Sequence, residues 1–156
     1  MGRRQKHARN EVIIVEQAML RSPAWHKLNG TAKDFYFALR MRCQLEDLKR
    51  NQKREVSPVP GKNIVNNGEL VFPYRQAMKE LEVRSEATIR SALDQLINTG
   101  FVRVSEPGGP DRTPSRYSLV REWELYGTES FKPFKRHKRQ GWQWASGKSG
   151  SEPPPL

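Results

Sequence analysis

The chain has 156 residues, of which 35% are hydrophobic and 29% charged, so one modest domain with a small core and tails beyond it is expected. A formal net charge of +11 makes a polyanion the expected partner, nucleic acid ahead of an anionic membrane surface. No apolar run approaches the roughly 18 residues that span a bilayer, and the single Cys43 excludes an internal disulfide or a cysteine-clustered zinc site.

The excess charge sits at the two ends. Residues 1–10 hold four bases and no acid, and residues 126–156 hold six bases against two acids. Residues 69–125, where apolar periodicity is clearest, carry eight bases against nine acids. The opening "MGRRQKHARN" leads only into "VIIV", too short for a signal-peptide core, so a cytoplasmic location is expected.

In chain order, "EVIIVEQAML" begins with a β-branched run at residues 12–15, read as a strand rather than the lead-in to a helix. In "RSPAWHKL", Ser22 stands where an N-cap would and Pro23 at the first helical position, which opens a short helix. In "NGTAKDFYFALRMRCQL", Gly30 breaks the chain, Thr31 caps, and Asp34 three residues on completes a variant capping box. Phe35, Leu39 and Cys43 recur every four residues along a helix of about 14 residues. Cys43 reads as a buried small residue before a reactive thiol. Residues 46–62 lose all periodicity and read as a loop insertion. A tight turn at "NNG" (residues 66–68) leads into the short strand "ELVF", then Pro73 opens a helix with Tyr74, Ala77, Met78 and Leu81 at helical spacing.

Ser85 is placed to cap a helix running to Asn98. Ile89, Leu93, Leu96 and Ile97 fall within an arc of about 100°, with Ala87, Ser91, Asp94, Gln95 and Asn98 opposite. Gly100 suits a left-handed C-terminal position. "FVRV", the turn-rich "SEPGGPDRTPS" and "RYSLV" make a hairpin with a long tip. The residues "EVR" between the last two helices give the short join of a helix-turn-helix, and the hairpin adds a wing. The expected fold class is therefore α+β, a winged helix-turn-helix over residues 11–125, with a basic arm at 1–10 and a basic aromatic tail at 126–156 expected to be disordered. Ile89, Leu93, Leu96, Phe35, Leu39, Met78, Leu81 and Phe101 are the expected core.

From about Ser22 to Val120 the chain resembles winged helix-turn-helix proteins carried by prophages and plasmids, including replication-associated and regulator-like members. The likeness lies in "SPAWHKL", "TAKDFYFAL", "NNGELVFPYRQAMKEL", "RSEATIRSALDQLINTGFVRV" and the hairpin closing in "RYSLV". The resemblance implies that residues 85–98 are the recognition helix and that the wing contacts the sugar-phosphate backbone or the minor groove. Two features depart from the pattern: the connector at 46–62 is long, and Asp94 puts an acid on the outward face.

Base edges in the major groove are read by side chains near the N-terminal end of such a helix, which selects Arg84, Ser85, Thr88 and Ser91, with Gln95 one turn on. Ser85 can equally serve as a simple cap. In the wing, Arg103, Arg112 and Arg116 are candidates for phosphate or minor-groove contact, and Arg75 for phosphate contact from the preceding helix. The tail interleaves Phe131, Phe134, Trp142 and Trp144 with Lys132, Lys135, Arg136, Lys138 and Arg139, a composition suited to phosphate charge and stacking.

His7, His26 and His137 are scattered, no metal-ligand spacing or glycine-rich phosphate loop occurs, and the carboxylates are dispersed. No enzyme, cofactor or metal is expected. The partner expected is double-stranded DNA, in replication initiation or transcription regulation. The alternative is a protein-contact module that loads a replication partner, with the tail as docking peptide. No membrane is expected to be a partner. A homodimer stays open, although no dedicated dimer helix is visible.

Overall fold

The computed structural model describes residues 12–48 and 57–134. Within them, five helices and two small antiparallel sheets form an α+β arrangement. The first two helices, α1 (Gln17–Arg21) and α2 (Pro23–Lys27), meet at Ser22. Its Oγ accepts the Trp25 N–H at 3.2 Å and donates to the Met19 carbonyl at 2.6 Å, so one hydroxyl ends one helix and starts the next. This agrees with the capping read from "SP".

The β-branched run at 12–15 is not a strand. Its backbone pairs with no other strand among the described residues, and the Ile14 carbonyl instead accepts from Arg40 Nη2 at 2.7 Å. β-branched residues favour an extended backbone, but only a neighbouring strand makes it a sheet.

Helix α3 (Gly30–Met41) starts earlier than its sequence signals indicate. Asn29, not Thr31, is the cap: its Oδ1 accepts the Ala32 N–H at 2.9 Å, and Gly30 is the first helical residue instead of a break. The Asn29 backbone N–H is in turn held by Gln95 Oε1 at 2.9 Å, a tertiary contact that the capping-box pattern could not contain.

The loop reading of 46–62 is corrected at both ends. Strands β1 (Leu45–Asp47) and β2 (Lys62–Ile64) pair antiparallel, with Leu45 opposite Ile64 and Asp47 opposite Lys62. Three-residue strands of mixed polarity have too little alternation to be seen in a sequence. Residues 49–56 lie outside the described residues. A turn with Gly68 at φ +87 leads to β3 (Leu70–Val71), then α4 (Tyr74–Glu80), α5 (Glu86–Asn98), β4 (Val102–Glu106) and β5 (Arg116–Leu119). Strand β5 lies between β3 and β4, all antiparallel, with Leu70 opposite Tyr117, Val102 opposite Leu119 and Val104 opposite Tyr117.

The core lies between α3, α5 and this sheet. Phe35, Leu39, Ile89, Leu93, Leu96 and Phe101 are fully buried, as the apolar spacing predicts, whereas Met78 and Leu81 are only partly buried at its margin. Beyond Phe35 and Phe101, the aromatic part of the core was not foreseen. Trp25 meets Tyr36, Phe37 and Phe101 edge-on at 5.7 Å, and Trp123, from a 3-10 turn at Glu122–Leu125, stacks on Phe101 at 5.9 Å. Each such pair contributes about 0.5–1.5 kcal/mol beyond simple burial.

Arg121 ties the two ends of the domain together. It bonds Glu16 Oε2 at 3.0 Å, the Ser57 carbonyl at 3.2 Å and Glu124 at 3.1 Å. Past Leu125 the chain stays packed on the domain: Tyr126 and Phe134 lie against the core, and Tyr126 meets Phe131 edge-on at 5.4 Å. The tail expected to be disordered begins at residue 126, but residues 126–134 of it are packed in this way; the remainder from residue 135 lies outside the described residues, as does the arm at 1–10. No helix among the described residues is long and apolar enough to cross a membrane.

Candidate nucleic-acid interface

Helix α5 has one face committed to the core. Ile89, Ala92, Leu93, Leu96 and Ile97 are buried, and α3 and α4 both pack against it. The side chains that remain outside are set by helical phase: Glu86, Ala87, Thr88, Arg90 and Ser91 are exposed, with Arg84 and Ser85 exposed just before them.

The approach to this helix is fixed by the end of α4. The Val83 N–H reaches back to the Met78 carbonyl at 2.9 Å and Glu82 takes the left-handed conformation at φ 53, a closure more often built on glycine. Ser85 occupies the N-cap position, φ −117 and ψ 128, but its hydroxyl makes no capping hydrogen bond. The capping chemistry expected of it is absent, which leaves an exposed hydroxyl beside Arg84. Arg75 is exposed in the first turn of α4.

Helix α4 itself is held by Arg42. That guanidinium bonds both Glu80 oxygens at 2.8 and 3.0 Å and the Ala38 carbonyl at 2.9 Å, and lies 3.9 Å over the Phe72 ring. Burial pushes the Glu80 carboxyl up, but the hydrogen bonds from Arg42 and Gln76 outweigh it and hold the group below its ordinary range. No sequence signal links residues 42 and 80. The pairing is a product of the fold.

Three of the selected positions are engaged within the chain. Gln95 is half-buried, and its Oε1 is occupied by the Asn29 N–H. Arg103 pairs with Glu122 and lies 5.6 Å over Phe134, with a buried Nε that has no partner. Arg116 faces Glu106 across the hairpin at 3.5 Å, with the Arg116 side chain 47% exposed, so this contact is loose. The outward acid Asp94 is half-buried rather than fully exposed.

The hairpin tip is ordered by its own polar groups. Asp111 Oδ1 accepts from Thr113 Oγ1 at 2.7 Å and from the Thr113 N–H at 3.3 Å, the Gly109 N–H donates to the Thr113 carbonyl at 3.1 Å, and the Gly108 N–H to Ser115 Oγ at 2.9 Å. Those Thr113 bonds hold the Asp111 carboxyl below its usual range. Between them Arg112 is exposed with φ +67, a conformation that costs a non-glycine residue about 1–2 kcal/mol and persists because its neighbours enforce it. Of the selected positions, apart from the three engaged ones, Arg75, Arg84, Ser85, Thr88, Ser91 and Arg112 are thus exposed; Arg116, one of the engaged three, is itself exposed but faces Glu106.

Among the described residues, no three His, Cys, Asp or Glu side chains come close enough to hold a metal ion. The Cys43 Sγ donates to the Leu39 carbonyl at 3.4 Å, and burial pushes its thiol up to about 11. Alkylation by iodoacetamide at pH 8 is therefore expected to run about a hundredfold slower than at an ordinary cysteine, because the thiolate is the nucleophile. Modification at the free-cysteine rate would show that the thiol is not sheltered. Comparison of the chain with family models, with curated proteins and with solved structures found no match to any of them.

Proposed function

We propose that this chain is a winged helix-turn-helix protein that binds double-stranded DNA without catalysis, in replication initiation or transcription regulation of a mobile element. In this reading α5 enters the major groove, α4 crosses the backbone and the β4–β5 hairpin is the wing. The order α3, β3, α4, α5, β4, β5, with β5 central in its sheet, supports it. One observation carries it: the first two turns of α5 leave Thr88 and Ser91 exposed beside Arg84 and Ser85, while the opposite face is wholly buried. A helix locked on one side and polar on the other at its N-terminal end has the form that reads base edges. Arg75 and Arg112 are assigned to phosphates or the minor groove.

The test is a titration of the full chain with random-sequence duplex at low salt. Micromolar binding is expected. Arg75→Ala, Arg84→Ala and Arg112→Ala should each weaken it about three- to tenfold and reduce the log–log salt slope by about one. Three variants that bind like the unaltered chain would remove this surface from the interface. Absence of duplex binding altogether would return the fold to a protein-contact role.

A further inference from the structure

Helical phase puts Gln95 on the same outward arc of α5 as Thr88 and Ser91, yet its side chain is half-buried. A backbone group holds it: the Asn29 N–H donates to Gln95 Oε1 at 2.9 Å. That donor has a fixed position, because Asn29 is bonded through its other polar atoms at the start of α3. Its Oδ1 accepts the Ala32 N–H at 2.9 Å and its carbonyl accepts the Lys33 N–H at 3.1 Å. The bond also settles which way round the amide sits. A backbone N–H meets only an acceptor, so Oε1 lies toward Asn29 and Nε2 away from it. Nε2 bonds nothing among the described residues and is open to solvent.

We propose that Asn29 makes Gln95 a one-sided reader of the duplex, offering donors only, and that Gln95 therefore selects a keto base, guanine or thymine, over the amino bases adenine and cytosine. The inference rests on the duplex-binding reading and gives one position of its helix a base preference. An unrestrained glutamine suits adenine, because it supplies an acceptor to the N6 amino group and a donor to N7. Here the acceptor is already used. The remaining N–H groups match guanine O6 and N7, or thymine O4, whereas the amino groups of adenine and cytosine would set donor against donor. Asn29 is a positioning residue: it touches no base and acts by fixing the polarity of the amide. One hydrogen bond of ordinary strength sets the scale, so the preference is about three- to tenfold.

The experiment selects bound molecules from a pool of duplexes with a randomised centre, using the full chain, and repeats the selection with variants. Gln95→Met should erase the preference at one base pair and leave the others as they were. Gln95→Glu keeps an acceptor for the Asn29 N–H but turns a second acceptor outward, so the preference at that pair should invert toward adenine or cytosine. Two variants of Asn29 isolate the lock. Asn29→Ala loses the α3 cap but keeps the N–H, and should retain the keto preference. Asn29→Pro loses both, and its backbone tolerates the ring, with Asn29 at φ −79 and Leu28 at φ −76, ψ 138. It frees Oε1 and should admit adenine about three- to tenfold better than Asn29→Ala does. Thermal melts check that the two Asn29 variants are equally folded, and Gln95→Glu decides the matter without them. The proposal is overturned, with duplex binding intact, if no base pair depends on Gln95 or if the unaltered chain prefers adenine or cytosine there. Failure of the unaltered chain to bind duplex would remove both proposals together.

Discussion

Replacing Gly100 with alanine is expected to destabilise the domain by about 2–5 kcal/mol, a fall in Tm on the order of 10 °C. Two effects combine. Gly100 has φ +87, where an alanine side chain is strained by about 1–2 kcal/mol. A Cβ there would also stand 2.7 Å from both the Glu122 carbonyl carbon and the Trp123 nitrogen, which are backbone atoms without a rotamer to escape into. The residue sits where three elements meet. The Phe101 N–H bonds the Leu96 carbonyl at 3.0 Å and the Gly100 N–H bonds the Ile97 carbonyl at 3.3 Å, which ends α5. The Trp123 N–H donates to the Gly100 carbonyl at 3.0 Å, which holds the stacked pair of Trp123 and Phe101 in place. Gly127 supplies the control. It has φ +84 but nothing within 4 Å of an added Cβ, so Gly127→Ala should cost only the conformational part, about 1 kcal/mol. Thermal melts of the two variants separate strain from collision. Equal shifts would mean that the turn at 122–123 can move away from α5.

Duplex binding by the full chain should weaken about a thousandfold between 50 and 200 mM salt, the consequence of about six phosphate contacts and a slope near −5. Residues 69–125, which carry the proposed contact surface, cannot supply six on their own. Of the eight bases in residues 69–125, Arg90, Arg103, Arg116 and Arg121 face Glu86, Glu122, Glu106 and Glu16 respectively, which leaves Arg75, Lys79, Arg84 and Arg112 without a carboxylate partner among the described residues. Nine acids share the same segment. Converting Lys135, Arg136, Lys138 and Arg139 to glutamine should therefore flatten the slope by about 3–4 and reduce the thousandfold loss to about tenfold. Titrations at four or five salt concentrations measure it. A slope unmoved by the substitutions would show the basic run to be idle and would transfer the contacts to other bases. Neutralisation is preferable to cutting the chain at residue 130, because Phe131 and Phe134 belong to the packed structure.

What could be read in advance was what depends on neighbours in the chain. The buried stripe of α5 follows from the spacing of Ile89, Leu93, Leu96 and Ile97, and its outward set of Arg84, Ser85, Thr88 and Ser91 follows from the same 3.6-residue period. Ser22 before Pro23 and Gly100 after α5 were legible because capping and a left-handed turn are local requirements. The helix-strand-helix-helix-hairpin order came from the same signals. The places that misled share a different cause. Whether residues 12–15 make a strand depends on a partner strand, which they lack among the described residues, while the short polar ends of the 46–62 segment do find one in each other.

The selected site divides along the same line. Helical phase alone says that Thr88 and Ser91 lie outside, but not that Gln95, on the same face, is taken by Asn29 66 residues away. Composition says that Arg103 and Arg112 both belong to a basic hairpin, but Glu122 and Phe134 occupy one while the turn at Asp111 presents the other. Arg42 meets Glu80 across 38 residues and Arg121 meets Glu16 across 105. By itself the sequence determined which faces are apolar, where helices stop and how much positive charge the ends carry, because these depend on side-chain chemistry within one or two turns. Only the tertiary structure decided which arginines remain unpaired, since a charged side chain is neutralised by whichever carboxylate folding brings within reach, however distant along the chain.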